Sequence, residues 1–389
     1  MIKRVVTGSR LPAKLWLDNV EDSCMEQIIN LASLPFAFKH IAIMPDAHTG
    51  KGMPIGGVLA TKGVIVPNAV GVDIGCGMCA MKTNLKASEM EHKQIADVVR
   101  HIRATIPLGF EHQKEALDES FLPEADWDAL PYLKDKKKNV LEEIGTLGSG
   151  NHFIEIQKDT TTDDVWVMIH SGSRNPGLRV AGHYNRIAEY WCEKWYAETL
   201  PGLAFLPMET KEAKNYMAEM NCCVQIAFAN RKTMMERVME GLADAVHDVS
   251  FEPMINIAHN YAAWENHFGK NVIVHRKGAT RAYKGEKGII PGSMGTKSYI
   301  VEGLGNPESF MSCSHGAGRR LSRSAARNTL SLAEEARKMD GKGIIHGLSA
   351  GTLEEAPGAY KDIEQVIAFE NDLVKPIVEL APVAVVKGE

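Results

Sequence analysis

Between residues 41 and 85, short apolar segments alternate with glycine-rich turns. Stretches such as 40–44, 56–60 and 63–67 are rich in isoleucine, valine and alanine. This pattern predicts several short β-strands with polar loops between them. Glycine makes up 34 of the 389 residues, and many of these glycines lie beside polar motifs. We therefore expect the functional residues in loops at strand ends.

The remaining segments have helical or strand-like patterns. An amphipathic helix is predicted at residues 24–34, mostly helical structure at 88–145, and helix across 175–249 with an interruption at Pro201 and Gly202. Residues 271–303 are strand-like, and a further helix is expected from 316 to 339. No internal repeat or linker divides the chain. The prediction is an α+β fold of mixed β-sheets surrounded by helices, forming a single large domain over residues 1–389.

Charge and cysteine content narrow the classes of function. The net charge of −5 and the pI of about 6.3 argue against indiscriminate nucleic-acid binding, but they are compatible with a local basic groove. The seven cysteines have no framework spacing, and no signal sequence or long apolar segment is evident. We therefore expect a cytoplasmic protein with no membrane partner.

Asp73 and Cys76 flank a glycine-rich turn in residues 70–77. A carboxylate and a thiolate three residues apart can reach one divalent metal, and the glycines let the backbone approach the ion. The alternative is a turn aspartate beside a buried cysteine. Cys79 completes a Cys-x-x-Cys pattern, but no second pair accompanies it, so we assign Cys79 to the core.

Three histidines lie at comparable places. His152 follows the glycine-rich residues 145–150, His170 ends an apolar strand, and His259 lies in residues 257–261. Each histidine taken alone could be purely structural. The turn before His152 could expose backbone N–H groups to a phosphate, although it lacks the sequence of a P-loop.

Two further segments have the composition of phosphate sites. Residues 291–298 combine glycines, hydroxyls and a lysine, and residues 312–320 place His315 before a glycine hinge that is expected to open a helix. Helix N-terminal amides and the arginines that follow would attract an anion. A neutral histidine there could attack a phosphoryl group. Ordinary loops and solvated arginines are the alternatives.

Together, these residues offer oxygen, sulfur and nitrogen ligands, a set that suits a transition metal. They predict a metal-dependent enzyme acting on phosphate esters or nucleotides. Residue chemistry alone leaves ligase and hydrolase both open.

The same segments, in this order, resemble the RtcB family of RNA ligases. Residues 44–57, 359–363 and 386–388 extend the resemblance over nearly the whole chain. It implies an RtcB-like fold with the active site in a central cleft. It also implies a ligase that uses GTP and two Mn²⁺ ions to join RNA 3′-phosphate or 2′,3′-cyclic phosphate ends to 5′-hydroxyl ends, in tRNA splicing or RNA repair.

The resemblance also assigns roles to individual residues. One Mn²⁺ would bind Cys76, His170 and His259, and the other Asp73, Cys76 and His152. The catalytic residue would be His315, which would form a covalent histidine–GMP. GTP would be contacted by Asn151, His152, Phe153, Glu155, Pro291, Ser293, Ser298, His315, Gly316, Ala317, Gly318, Arg319, Tyr360 and Lys387. Asp46 and Arg174 are expected near the site.

The partner implied is RNA, either cleaved tRNA or another broken RNA. We expect a monomer, and an accessory activator is compatible with this assignment. Salt-sensitive RNA contacts are expected from local basic residues, namely Arg276, Lys277, Arg281, Arg320 and Arg323. The alternatives are a metallophosphoesterase that opens cyclic phosphates without joining ends, and a catalytically inactive RNA-binding or scaffold subunit.

Overall fold

In the computed structural model, which describes residues 1–388, the apolar segments form the strands of two large β-sheets. In chain order the strands are β1 (Arg4–Val6), β2 (Ala13–Leu15), β3 (Ala37–His48), β4 (Ile55–Thr61), β5 (Val64–Ile65), β6 (Gly77–Lys86), β7 (Phe153–Asp159), β8 (Asp164–Ser171), β9 (Leu206–Pro207), β10 (Ile255–Ala258), β11 (Asn260–His267), β12 (Lys270–Lys277), β13 (Ala279–Arg281), β14 (Lys287–Ile290), β15 (Ser298–Gly303), β16 (Ser312–Ser314) and β17 (Val374–Val386).

The first sheet has six strands in the order β1-β2-β3-β4-β12-β11, and only the β2–β3 pair is parallel. The second has seven strands in the order β10-β6-β8-β7-β17-β15-β14, and every neighbouring pair is antiparallel. Strand β8 is buried along its whole length at the middle of this sheet. Short pairs join β13 to β16 and β5 to β9.

Helices cover these sheets. They are α1 (Asp22–Ser33), α2 (His92–Thr105), α3 (Lys137–Glu143), α4 (Asn175–Lys194), α5 (Lys211–Ala245), α6 (Arg323–Thr329), α7 (Leu332–Asp340) and α8 (Ile363–Phe369). The long helix α5 packs against α2, α4, β6, β8 and β10. The predicted α+β class, the amphipathic first helix and the break near Pro201 are confirmed. Across the described residues, no helix combines the length and apolar character needed to cross a membrane.

The prediction of mostly helical structure at residues 88–145 is wrong. Only α2 and α3 are α-helical there, and the chain between them is irregular with short 3₁₀ turns. Prolines at 107, 123 and 131 interrupt regular helix in this stretch. The side chains of Asp118 and Asp126 accept hydrogen bonds from nearby backbone amides, which stabilises isolated turns instead.

The single helix predicted from residue 316 to 339 is also wrong. Residues 316–321 form a loop, and two short helices, α6 and α7, follow it. Ser322 and Ser331 each accept a hydrogen bond from a first-turn amide, so each serine begins a new helix. His315 therefore lies eight residues before the start of α6 and does not itself open a helix.

Candidate metal and nucleotide site

The second sheet brings the four predicted sulfur and nitrogen ligands to one edge. Cys76 directly precedes β6, His152 precedes β7, His170 lies near the end of β8, and His259 follows β10. The strand order β10-β6-β8-β7 makes these strands neighbours. Their register pairs Gly77 with both Ser171 and Ala258, so the ligand-bearing ends lie side by side.

The ligand atoms form two overlapping groups that share Cys76. Cys76, His170 and His259 make one, and Asp73, Cys76 and His152 make the other, with all donor atoms of a group within 4.8 Å of one another. The Cys76 Sγ lies 3.2 Å from His170 Nε2 and 3.5 Å from His152 Nε2. The Nε2 atoms of His170 and His259 are 3.4 Å apart.

Backbone contacts orient two of the histidines. The Nδ1 of His152 lies 3.0 Å from the Leu147 carbonyl, and that of His170 lies 3.1 Å from the Asn151 carbonyl. A carbonyl oxygen can only accept, so each Nδ1 carries the hydrogen and each Nε2 presents a lone pair toward Cys76. Metal-bound histidines are commonly held in this way. The arrangement therefore fits a pair of transition-metal ions.

The protonation states agree with this interpretation. Burial lowers the pKa of His170 and of His259 well below the ordinary value, so both rings are neutral and can bind a metal. Burial opposes ionisation of Asp73, but the interactions with His152, Cys76 and Arg174 together lower the pKa of the carboxyl. Burial and the Asp73 carboxylate raise the pKa of the Cys76 thiol, whereas a bound cation would favour the thiolate.

His315 lies directly beside this cluster. Its ring packs edge-on against His259, with the ring centroids 4.8 Å apart. The buried Asp46 carboxylate accepts a hydrogen bond from His315 Nδ1 at 2.5 Å, which leaves Nε2 as the free nitrogen. Burial opposes ionisation of Asp46, but His315 and Lys361 together lower the pKa of the carboxyl.

A cavity of about 390 Å³ opens beside His315 and His170. Most of the residues predicted to contact GTP line it, namely Asn151, Phe153, Glu155, Pro291, Ser293, His315, Gly316, Ala317, Gly318, Arg319, Tyr360 and Lys387. His152 lies in the metal cluster instead. Ser298 is buried behind the wall, where its Oγ accepts hydrogen bonds from Gln157 Nε2 and the Gly292 amide.

Two ionisable groups of the cavity lining, the buried Glu155 and the partly buried Lys387, lie close enough to interact. Burial raises the pKa of Glu155 to about 8, while Gln157 and Lys387 act in the opposite direction. Burial likewise lowers the pKa of Lys387, whose Nζ donates to the His152 carbonyl at 3.2 Å. The pairing of Val386 with Ile154 brings Lys387 from the C-terminal strand to this wall.

Glu355 was not among the residues predicted from the sequence, yet it lines the same cavity and binds several of its neighbours. Its carboxylate accepts hydrogen bonds from Arg319 at 3.1 Å, from Arg323 at 2.6 Å and from the Tyr360 hydroxyl. The Arg319 guanidinium lies 5.4 Å from the centre of the Tyr360 ring. His48 and Thr49 were also missed, although both lie in the quoted segment 44–57.

Arg174 supports the metal cluster from behind. Its Nη1 lies 3.3 Å from His152 Nδ1, and its Nε donates to Thr146 Oγ1 at 3.2 Å. Gly148 leaves room for this side chain, because a Cβ at that position would lie 2.0 Å from Arg174 Nη1. The predicted proximity of Arg174 to the site therefore agrees with the geometry.

Two of the five predicted RNA-contact residues cannot reach RNA. Arg276 is fully buried and paired with Glu265, and the Lys277 Nζ donates to the Lys51 carbonyl at 2.6 Å. Both lie on β12, an inner strand of the first sheet. Arg281 is paired with Glu286 and Arg323 with Glu355, whereas Arg320 is exposed. The prediction is wrong for Arg276 and Lys277.

Comparison with known proteins agrees with this architecture. A family model described as tRNA-splicing ligase RtcB matches residues 27–388. The chain is 40% identical to the RNA-splicing ligase RtcB of Escherichia coli K12, with 99% of each chain covered. It is 34% identical to the tRNA-splicing ligase RtcB of Nanoarchaeum equitans, covering 95% of this chain and 92% of the relative.

A third relative, the tRNA-splicing ligase RtcB of Methanococcus maripaludis, is 33% identical over 97% of this chain and 95% of its own. The shared-cysteine cluster, which could hold metal ions, and the adjacent His315 lie together in an α+β fold. The chain belongs to the RtcB family.

Proposed function

We propose that this protein is an RNA ligase that joins RNA 3′-phosphate or 2′,3′-cyclic phosphate ends to 5′-hydroxyl ends, with GTP and Mn²⁺. The observation that carries the proposal is the position of His315. Its free Nε2 belongs to a ring that lines the cavity and packs against the metal ligand His259. The names of the relatives support the RNA ligase assignment.

The metal ligands proposed are Cys76, His170 and His259 for one ion and Asp73, Cys76 and His152 for the other. Mixed oxygen, sulfur and nitrogen donors favour a transition metal over Mg²⁺, and Mn²⁺ is the ion that the family resemblance implies. The bound ions would neutralise charge on phosphate oxygens and on the leaving pyrophosphate. The protein itself would hold the metal-ligand atoms in place and set the tautomers of the histidine rings.

The first chemical step is proposed at His315. Its Nε2 attacks the α-phosphorus of GTP, and an N–P bond forms as the bond to the bridging β-phosphate oxygen breaks. Pyrophosphate leaves with that electron pair. Asp46 holds the Nδ1 hydrogen throughout and stabilises the positive charge that develops on the ring.

The cavity walls have the groups needed to recognise GTP. Guanine presents N–H donors at N1 and N2, and hydrogen bonds from both would favour the ionised form of the Glu155 carboxyl; the guanine O6 could accept a hydrogen bond from Lys387. Tyr360 offers a ring for stacking. Asn151, the loop 316–318 and Arg319 would hold the ribose and the phosphates.

The later steps act on RNA. A 3′-phosphate oxygen attacks the phosphorus of histidine–GMP, the P–N bond breaks, and the electron pair returns to His315. The 5′-hydroxyl oxygen of the second RNA then attacks the 3′-phosphorus, GMP leaves, and the hydroxyl proton is released. A cyclic phosphate would first be hydrolysed: water attacks the phosphorus, the bond to the 2′-oxygen breaks, and a 3′-phosphate and a 2′-hydroxyl remain.

An end-joining assay tests the proposal. One labelled RNA ends in 3′-phosphate and the other begins with 5′-hydroxyl, and both are incubated with protein, Mn²⁺ and GTP. We expect joined product, none with ATP in place of GTP, and none with His315→Ala. His247→Ala, at an exposed histidine, is the matched control and should join RNA like the wild type.

The alternatives give different results in the same assay. Opening of a 2′,3′-cyclic phosphate without joined product, in the presence of GTP, would contradict the proposal in favour of a metallophosphoesterase. RNA binding without either reaction would indicate the inactive scaffold.

A further inference from the structure

The middle of α5 carries an arginine that is fully buried behind the metal cluster. The Arg231 guanidinium donates to four acceptors: Nε to Asn256 Oδ1 at 2.7 Å, Nη1 to the Ser171 carbonyl at 2.8 Å and to the Gly75 carbonyl at 3.0 Å, and Nη2 to the Ile257 carbonyl at 3.2 Å. None of these acceptors is near Arg231 in sequence.

Each acceptor belongs to a segment that carries a proposed metal ligand. Gly75 directly precedes Cys76, Ser171 directly follows His170, and Ile257 lies two residues before His259. One planar side chain therefore connects the three segments that supply the ligand group Cys76, His170 and His259. The N–H donors of the planar guanidinium have a fixed geometry, so they set the spacing between the carbonyl groups to which they donate.

No carboxylate pairs with Arg231 within salt-bridge distance in the part of the chain that the structure describes. Burial lowers the pKa of Arg231 to about 10, while Cys79, Cys76 and Asp73 act in the opposite direction. A buried guanidinium without a paired carboxylate costs desolvation free energy. The four hydrogen bonds offset part of this cost. A role in positioning the metal ligands would explain why the charge is buried at this place.

The neighbouring residue extends the same scaffold. Asn230 Oδ1 accepts hydrogen bonds from the amides of Gly145 and Thr146, and its Nδ2 donates to Ser171 Oγ and the Gly172 carbonyl. The middle of α5 thus also fixes the glycine-rich turn that leads into His152 relative to the segment after His170.

We propose that Arg231 is a positioning residue of the metal centre, which sets the separation of the Cys76, His170 and His259 donors from behind. The inference rests on the metal centre of the proposed function. It goes further because it assigns metal affinity and coordination geometry to a side chain that itself touches neither metal nor substrate.

The test measures binding of Mn²⁺ alone by titration calorimetry, without GTP or RNA. Arg231→Lys keeps the charge but loses the fork, and Arg231→Met removes both. We expect each variant to bind Mn²⁺ at least about tenfold more weakly at one site, as is typical when a group that orients metal ligands is lost. The matched control is Lys232→Met on the same helix, because Lys232 is exposed and pairs with Glu236 instead.

The absorption spectrum of bound Co²⁺ is a second measurement, and a general loss of protein stability does not change it. The absorption bands of bound Co²⁺ report coordination geometry, so Arg231→Lys should shift them while Lys232→Met leaves them unchanged. Asn256→Ala removes the acceptor of Nε and the Asn256 hydrogen bond to the Phe228 carbonyl, but it keeps the three bonds from Arg231 to backbone carbonyls. It should therefore weaken Mn²⁺ binding by a smaller factor, and it is the variant to test if the Arg231 variants do not fold.

The outcomes separate the two proposals. Wild-type affinity and an unchanged Co²⁺ spectrum in folded Arg231→Lys, or in Asn256→Ala where it carries the test, would overturn the positioning role and leave the metal centre intact. A wild-type protein that binds neither Mn²⁺ nor Co²⁺ would overturn the metal centre itself, and the inference with it.

Discussion

A single carboxylate oxygen, Asp46 Oδ2, accepts hydrogen bonds from both the ring Nδ1 and the backbone amide of His315, at 2.5 and 3.0 Å. Two donors on one atom fix the orientation of the ring as well as its tautomer. The nitrogen that remains free is the one needed for attack on a phosphoryl group. Asp46 lies on β3 of the first sheet, so its hydrogen bonds to His315 connect that sheet to the cavity.

Asp46→Asn should slow transfer of GMP to His315 by about 10²-fold, because a neutral amide does not stabilise the positive charge on the ring. GTP affinity should change little, since Asp46 does not line the cavity. Single-turnover labelling and equilibrium GTP binding separate the two effects. Asp340→Asn, at an exposed carboxylate, is the control. An unaltered labelling rate in Asp46→Asn would contradict this role.

Substitutions in the metal cluster should change the number of bound ions in a defined way. Because Cys76 belongs to both groups, Cys76→Ala should lose both Mn²⁺ ions, whereas His152→Ala and His259→Ala should each lose one. Equilibrium dialysis followed by metal analysis gives the stoichiometry. Cys79→Ala is the matched control, since this buried thiol lies in neither group. If Cys76→Ala retained both ions, the proposal that both ions share the Cys76 thiolate would be wrong.

The pH dependence of stability should include a contribution from Glu370, whose carboxyl accepts a hydrogen bond from the Ser314 amide next to His315. Burial raises the pKa of Glu370 from 4.5 to about 8. The unfolded chain therefore releases this proton at lower pH than the folded protein, so the free energy of unfolding falls as pH rises from 4.5 to about 8.

Glu370→Gln cannot ionise and should flatten that slope, as measured by urea unfolding at several pH values. Glu364→Gln, at an exposed carboxyl, should leave the slope as it is in the wild type. A slope unchanged by Glu370→Gln would show that the buried carboxyl does not titrate in this range.

Arg320 is the exposed cation that directly follows the cavity residue Arg319. If it contacts an RNA phosphate, Arg320→Ala should weaken RNA binding and lower the slope of log affinity against log salt by about 1. Arg100→Ala, at an exposed arginine on α2, is the control. Equal salt slopes for wild type and Arg320→Ala would remove Arg320 from the RNA interface.

Much of the site geometry was predictable because its signals are local. Glycine turns beside apolar segments indicated strand ends, and the proposed ligands Cys76, His152 and His170 lie at such ends. The specific roles came from the family resemblance, since a lone histidine has the same local sequence whether it binds metal or not.

What the sequence could not indicate depends on partners distant in the chain. Arg231 lies inside a helix and contacts carbonyls 60 and 156 residues away. Arg276 was assigned to RNA because it is basic, yet it lies on an inner strand and pairs with Glu265 on the adjacent strand β11. Composition gives the charge of a side chain but not the surface that it faces.

The proposed mechanism depends on His315 acting as the nucleophile toward GTP. The most direct measurement is transfer of label from α-labelled GTP to purified, Mn²⁺-loaded protein, with His315→Ala in parallel. We predict label on the wild type only, labile in acid and stable in alkali, as a phosphoramidate would be. Absence of label on metal-loaded wild type, or equal label on His315→Ala, would contradict the account.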